Sequence, residues 1–166
     1  MNQPFDCAEF ADAIRAALTQ TLTGVDVAEE PGDDASALTF VHPVHEATVV
    51  LLVEAADNET SVPTLLVSIV IGDWLEAQEK EGGAQLFALN PRLMTCAVGL
   101  MPLNDDEIAV VLCRRAPAAA IAADEVLGVI DDMIWDYANC AGWLEGASDP
   151  AIAGGRSRLI SSLDEV

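Results

Sequence analysis

Ala47-Thr48-Val49-Val50-Leu51-Leu52-Val53-Glu54 and Thr64-Leu65-Leu66-Val67-Ser68-Ile69-Val70-Ile71 decide the fold class of this chain. Turn-forming residues bound both runs: His42-Pro43-Val44-His45-Glu46 precedes the first, and Asp57-Asn58-Glu59 and Pro63 lie between the two. Connections this short suit antiparallel hairpins. A strand with one wet face alternates apolar and polar residues. Neither run does. The first is apolar from Val49 to Val53. In the second, Leu65, Val67, Ile69 and Ile71 fall on one face, and Leu66, Ser68 and Val70 on the other. Both faces of the sheet therefore need cover.

Working outward, Ser36 to His42 is a further strand with Leu38, Phe40 and His42 on one face. Met94 to Met101 and Glu107 to Cys113 flank an Asn104-Asp105-Asp106 turn, and the latter run is again apolar on both sides. Asp6 to Thr23 reads as a helix: Asp6 caps it, Phe10, Ile14, Ala17, Leu18 and Leu22 recur at helical spacing, and Gly24 ends it. The acidic residues 25–35 read as a loop, with a short strand at its start as the alternative. Asp73 opens a helical stretch that Gly82-Gly83 breaks; a further piece, Ala84 to Leu89, stops at Asn90-Pro91. Ile121 to Leu144 is the last helix, with Asp124 and Glu125 in its first turn and Leu127, Ile130, Ile134, Tyr137, Ala138 and Ala141 as its core stripe. The order α-β-β-β-α-β-β-α indicates an α+β fold on an antiparallel five-stranded sheet. It occupies residues 1–145, with 146–166 as a loosely held tail. If the first and last helices pack on opposite faces, the sheet closes internally. If they share a face, the short middle helix is too small to roof the other, and the exposed patch marks a partner or subunit interface.

The chain has 166 residues, 52% of them hydrophobic, with 28 Asp+Glu against 7 Lys+Arg and a formal net charge of -21. That apolar content suffices for one packed domain and excludes a disordered acidic tail. So few cations cannot neutralise a run of phosphates, which argues against nucleic acid and anionic membranes as partners. The N-terminus has no basic region followed by an apolar one, so no secretory signal is expected. No apolar run approaches the about 20 residues needed to span a bilayer. Cys7, Cys96, Cys113 and Cys140 share no CxxC spacing and read as reduced thiols of a cytoplasmic protein.

Chemistry-bearing motifs are sparse. His42 and His45 form an HxxH, but zinc needs two more ligands and no cysteine lies near them. Asp33-Asp34, Asp105-Asp106-Glu107 and Asp131-Asp132 lack the ligand order of a calcium loop and read as solvated charges. There is no phosphate-binding glycine loop and no nucleophile elbow. We therefore expect no enzyme, no cofactor and no metal. Trp135 falls opposite the core stripe of the last helix, beside Gly128, Asp131 and Asp132, as an aromatic anchor for a partner or as a ring lying on the protein's own surface. Trp74 anchors the middle helix to the sheet or to a second subunit.

The second half resembles the type III secretion chaperones and the wider superfamily of that fold, including YbjN-like proteins. Leu86-Phe87-Ala88-Leu89-Asn90 is similar to a helix-ending LLxxN pattern. The strand Met94 to Leu100, an acidic turn, the strand Ile108 to Arg114, Ala116-Pro117 and the helix Ala122 to Trp143 follow in the family's order. The resemblance implies a non-enzymatic cytoplasmic homodimer that holds an extended segment of a client polypeptide on apolar grooves and by strand addition. It puts Leu86 and Leu89 in the dimer region; Trp74, read above as an anchor to the sheet or to a second subunit, is counted with the expected dimer interface. Val50, Leu52, Leu66 and Val70, together with Trp135, are the expected partner surface. The alternative is a YbjN-like regulatory domain acting through protein contacts without an export client.

Overall fold

The computed structural model describes residues 5–32, 34–56, 62–73, 90–102 and 107–144. The chain is α+β, with helices α1 (Cys7–Thr21) and α2 (Val126–Leu144) and strands β1 (Ala28–Pro31), β2 (Ala35–Val41), β3 (Thr48–Glu54), β4 (Thr64–Asp73), β5 (Ala97–Pro102) and β6 (Ile108–Pro117). The strands form one antiparallel six-stranded sheet in the order β1-β2-β3-β4-β6-β5. The expected count of five strands is corrected by β1, which lies inside the acidic stretch read as a loop. Two contacts hold it there. Gly32 N–H donates to Ala35 O at 2.7 Å, closing a hairpin onto β2, and Arg15 of α1 pairs with Glu29 at 3.2 Å. Trp74, Leu86, Leu89, the middle helix and the tail 146–166 lie outside the described residues.

The chain divides into two compact units, one from Met1–Ile69 and Arg114–Asp131, the other from Val70–Cys113 and Asp132–Val166. In the first, Asp6 caps α1 as the sequence indicates, its Oδ1 accepting from Ala8 N–H and Glu9 N–H at 3.0 Å each. Ala11, Ile14 and Leu18 form the fully buried stripe of α1, which packs on β2 and β3. That face of the sheet is enclosed: Leu38 and Phe40 on β2, Val49, Leu51 and Val53 on β3, and Leu65, Val67 and Ile69 on β4 are all buried. Enclosing each such side chain is worth about 1.5–3 kcal/mol. The approach to α2 differs from the continuous helix expected from Ile121. Two 3-10 turns, Ala118–Ala120 and Ala123–Glu125, come first. Ala122 is extended, and Glu125 caps it by accepting from its N–H at 3.0 Å.

In the second unit β5 pairs with β6 from Ala97↔Cys113 to Pro102↔Ile108. Ala109, Val110, Val111 and Leu112 are consecutive and all buried, so β6 is covered on both faces as its sequence requires. Met133 and Ile134 bring α2 into this core. β5 begins at Ala97, three residues after the expected Met94. The amides of Met94 and Thr95 are turned to a carboxylate on α2 and cannot join the ladder.

Candidate functional site

Cross-strand register assembles the second face of β1–β4 residue by residue. Thr39 stands opposite Val50 and Val50 opposite Ser68; Ala37 stands opposite Leu52 and Leu52 opposite Leu66. β1 continues both rows, with Ala28 opposite Thr39 and Glu30 opposite Ala37. Side chains directly opposite share a face. Cover falls away across these rows. Ser68 is enclosed, Val50, Leu52 and Leu66 are half-buried, and Thr39, Ala28 and Glu30 are exposed. Val41, on the same side of β2, is 54% exposed. Neighbours on β3 contrast sharply, since Val49, Leu51 and Val53 are fully enclosed while Val50 and Leu52 between them are not. The larger apolar side chains of these rows, Val50, Leu52 and Leu66, are thus half-buried on β3 and β4, and the exposed positions toward β1 are Thr39, Ala28 and Glu30.

Of the expected partner residues, the register brings Val50, Leu52 and Leu66 together. Val70 is half-buried and belongs to the second unit. Trp135 is on the same unit, on α2, and is 58% exposed. Asp131 and Asp132 are exposed on that helix too, as the helical wheel indicates.

The two edges of the sheet are poor templates for a further strand. At β5, Val98 N–H is already given to Asn90 Oδ1 at 2.6 Å. Outward-facing backbone groups recur at every second residue, so Leu100 and Pro102 come next, and Pro102 has no N–H. At β1, the Gly32–Ala35 bond sets the alternation so that Glu29 and Pro31 face outward. Pro31 likewise offers no donor. Proline and charge on an edge are the usual means of blocking strand addition.

Two polar clusters are also assembled among the described residues. Asp136, only 2% exposed, accepts at one oxygen, Oδ2, from Met94 N–H at 2.9 Å, Thr95 N–H at 2.5 Å, the Thr95 hydroxyl at 2.7 Å and the Cys96 thiol at 3.8 Å. Burial pushes its carboxyl up, but the Thr95, Met94 and Cys96 donors outweigh burial and hold it below the usual carboxylate range. Burial, and then the charge of Asp136, push the Cys96 thiol up to about 12, which disfavours its thiolate form. The sequence reading missed Asp136. Its signal is positional: it stands seven residues after Val129 and three after Met133, on the flank of the core stripe, where an unpaired carboxylate is not tolerated.

His42 is the second cluster. It is 4% exposed. Its Nδ1 accepts from Val44 N–H at 3.4 Å, and its Nε2 lies 3.6 Å from Asp131 Oδ1. The His45 ring is 5.1 Å away, centroid to centroid. Burial lowers the His42 pKa, opposed by Asp131 and assisted by His45. No group of three metal-ligating residues is assembled among the described residues. No family model matches the chain, and no curated protein matches it either.

Proposed function

We propose that this chain is a non-enzymatic protein-binding module that seats a segment of another polypeptide on the second face of β2–β4. The observation that carries this reading is the alternation along β3, where Val50 and Leu52 stay half-buried between neighbours that are fully enclosed. Leaving such residues partly wet forgoes part of the about 1.5–3 kcal/mol each would contribute on full burial, which a partner recovers. The net charge of -21 keeps a molecule with an apolar face in solution. Asp136 holds residues 94–96 to α2, a structural use of that carboxylate which fits a binding module.

The resemblance to type III secretion chaperones is the nearest functional parallel. In that reading the protein is a cytoplasmic homodimer, with Trp74, Leu86 and Leu89 at the subunit contact, and it keeps a client ready for export. The blunted edges favour seating on the face over strand addition. The test is Leu66→Asp. Affinity-tagged protein expressed in its native host is expected to bring down a stoichiometric polypeptide. The variant is expected to lose that polypeptide while its melting temperature changes little. Equal loss of partner and of stability would make Leu66 ordinary core and end this reading.

A further inference from the structure

Resting on that reading, we propose that the occupant of this face is a cationic amphipathic helix of a partner protein. Three observations point there. First, an extended segment laid flat on Val50, Leu52 and Leu66 would bury its own N–H and C=O groups against apolar side chains, and the edge strand of the same unit, β1, offers no donor at Pro31. A helix satisfies its backbone internally, and α1 already covers the opposite face of β2 and β3 in this way. Second, the open side of the face ends on Glu30, an exposed carboxylate in the row of Ala37, Leu52 and Leu66. Third, the whole chain carries 28 acidic and 7 basic residues. Of the basic ones, Arg15 is paired with Asp12 and Glu29, and Arg115 with Glu54. A second copy carries the same net charge of -21 and would set a second Glu30 against this face, so like charge opposes docking of two copies here, whereas lysines flanking an apolar stripe meet complementary potential.

The experiment uses the full chain and synthetic peptides of about 18 residues, long enough to hold a helix. The first has leucine at helical spacing with lysine elsewhere; the others replace lysine by glutamine or by glutamate; a fourth has leucine and lysine in strict alternation, which suits a strand. The helical leucine–lysine peptide is expected to bind with one-to-one stoichiometry and to gain helix. The glutamine peptide should bind about tenfold more weakly, and the glutamate peptide not at all. Leu66→Asp and the surface variant Val41→Asp should both weaken the lysine peptide. Glu30→Lys should weaken it while sparing the glutamine peptide. Equal binding of lysine and glutamine peptides, both lost in Leu66→Asp, overturns the cationic partner and leaves the docking face standing. Tighter binding of the alternating peptide overturns the helix. If neither Leu66→Asp nor Val41→Asp affects any peptide, the face itself is not a binding site. A dimer that forms at this face and dissociates in Val41→Asp puts a second copy there and overturns the proposal.

Discussion

Asp136 and His42 are both nearly enclosed, yet they respond to acid for different reasons. The unfolded chain protonates Asp136 near the ordinary value of about 3.9, while the folded chain holds it lower. Its contribution is therefore complete above about pH 4 and is lost as pH falls through the folded value. Asp136→Ala leaves two amides and a hydroxyl without the acceptor they now have and should cost about 3 kcal/mol in urea unfolding. Thr95→Val, which removes one of those bonds, should cost about 1 kcal/mol. His42 also has a folded pKa below that of the unfolded chain, about 6.5. Its neutral form is the stabilised one, so the contribution is complete above about pH 6.5 and fades as pH drops toward the folded value. Asp131→Asn, by removing the charge that raises this pKa, should move the His42 NMR titration to lower pH. An unchanged or higher midpoint would contradict the contact seen at 3.6 Å.

α1, with its Asp6 cap, is readable from helical spacing, and the strands β3, β4 and β6 from short, largely apolar runs bounded by turn residues. β1 was legible only as the alternative to a loop, because Glu29 and Glu30 look like loop charge until Arg15 is seen beside one of them. The start of β5 was misread for the opposite reason. Met94 to Cys96 have strand-like composition, but a carboxylate 42 residues from Met94 and 41 from Thr95 takes their amide donors, and no local pattern reports a partner at that separation. Glycines at this scale give opposed predictions. A methyl on Gly32 would sit 2.8 Å from Ala35 O, the acceptor that closes the β1–β2 hairpin. Gly32→Ala should therefore cost about 1–3 kcal/mol. Gly128 on α2 has open space around it, so Gly128→Ala should gain about 0.5–1 kcal/mol from helix propensity. Thermal melts of the two variants should move in opposite directions.

For the molecule as a whole, composition bounded the answer without locating it. Sequence alone showed that both sheet faces are apolar, but not which one would be enclosed, because that depends on where the helices pack. The structure encloses the face of Leu38, Val49, Leu51 and Leu65 and leaves that of Val50, Leu52 and Leu66 partly open. Self-repulsion from a net charge of -21 should also mark the whole chain. Raising salt from about 0.01 M to about 1 M shortens the screening length from about 30 Å to about 3 Å, and the melting temperature should rise with it. A flat or falling profile would show that the acidic surface carries no such penalty. The most direct measurement is methyl NMR with a soluble paramagnetic agent, on the isolated protein and on its complex with the captured partner. The docking account predicts that Val50, Leu52 and Leu66 methyls relax faster than those of Val49, Leu51 and Leu65 in the free protein and lose that excess in the complex. Equal protection of both sets in the isolated chain would contradict it.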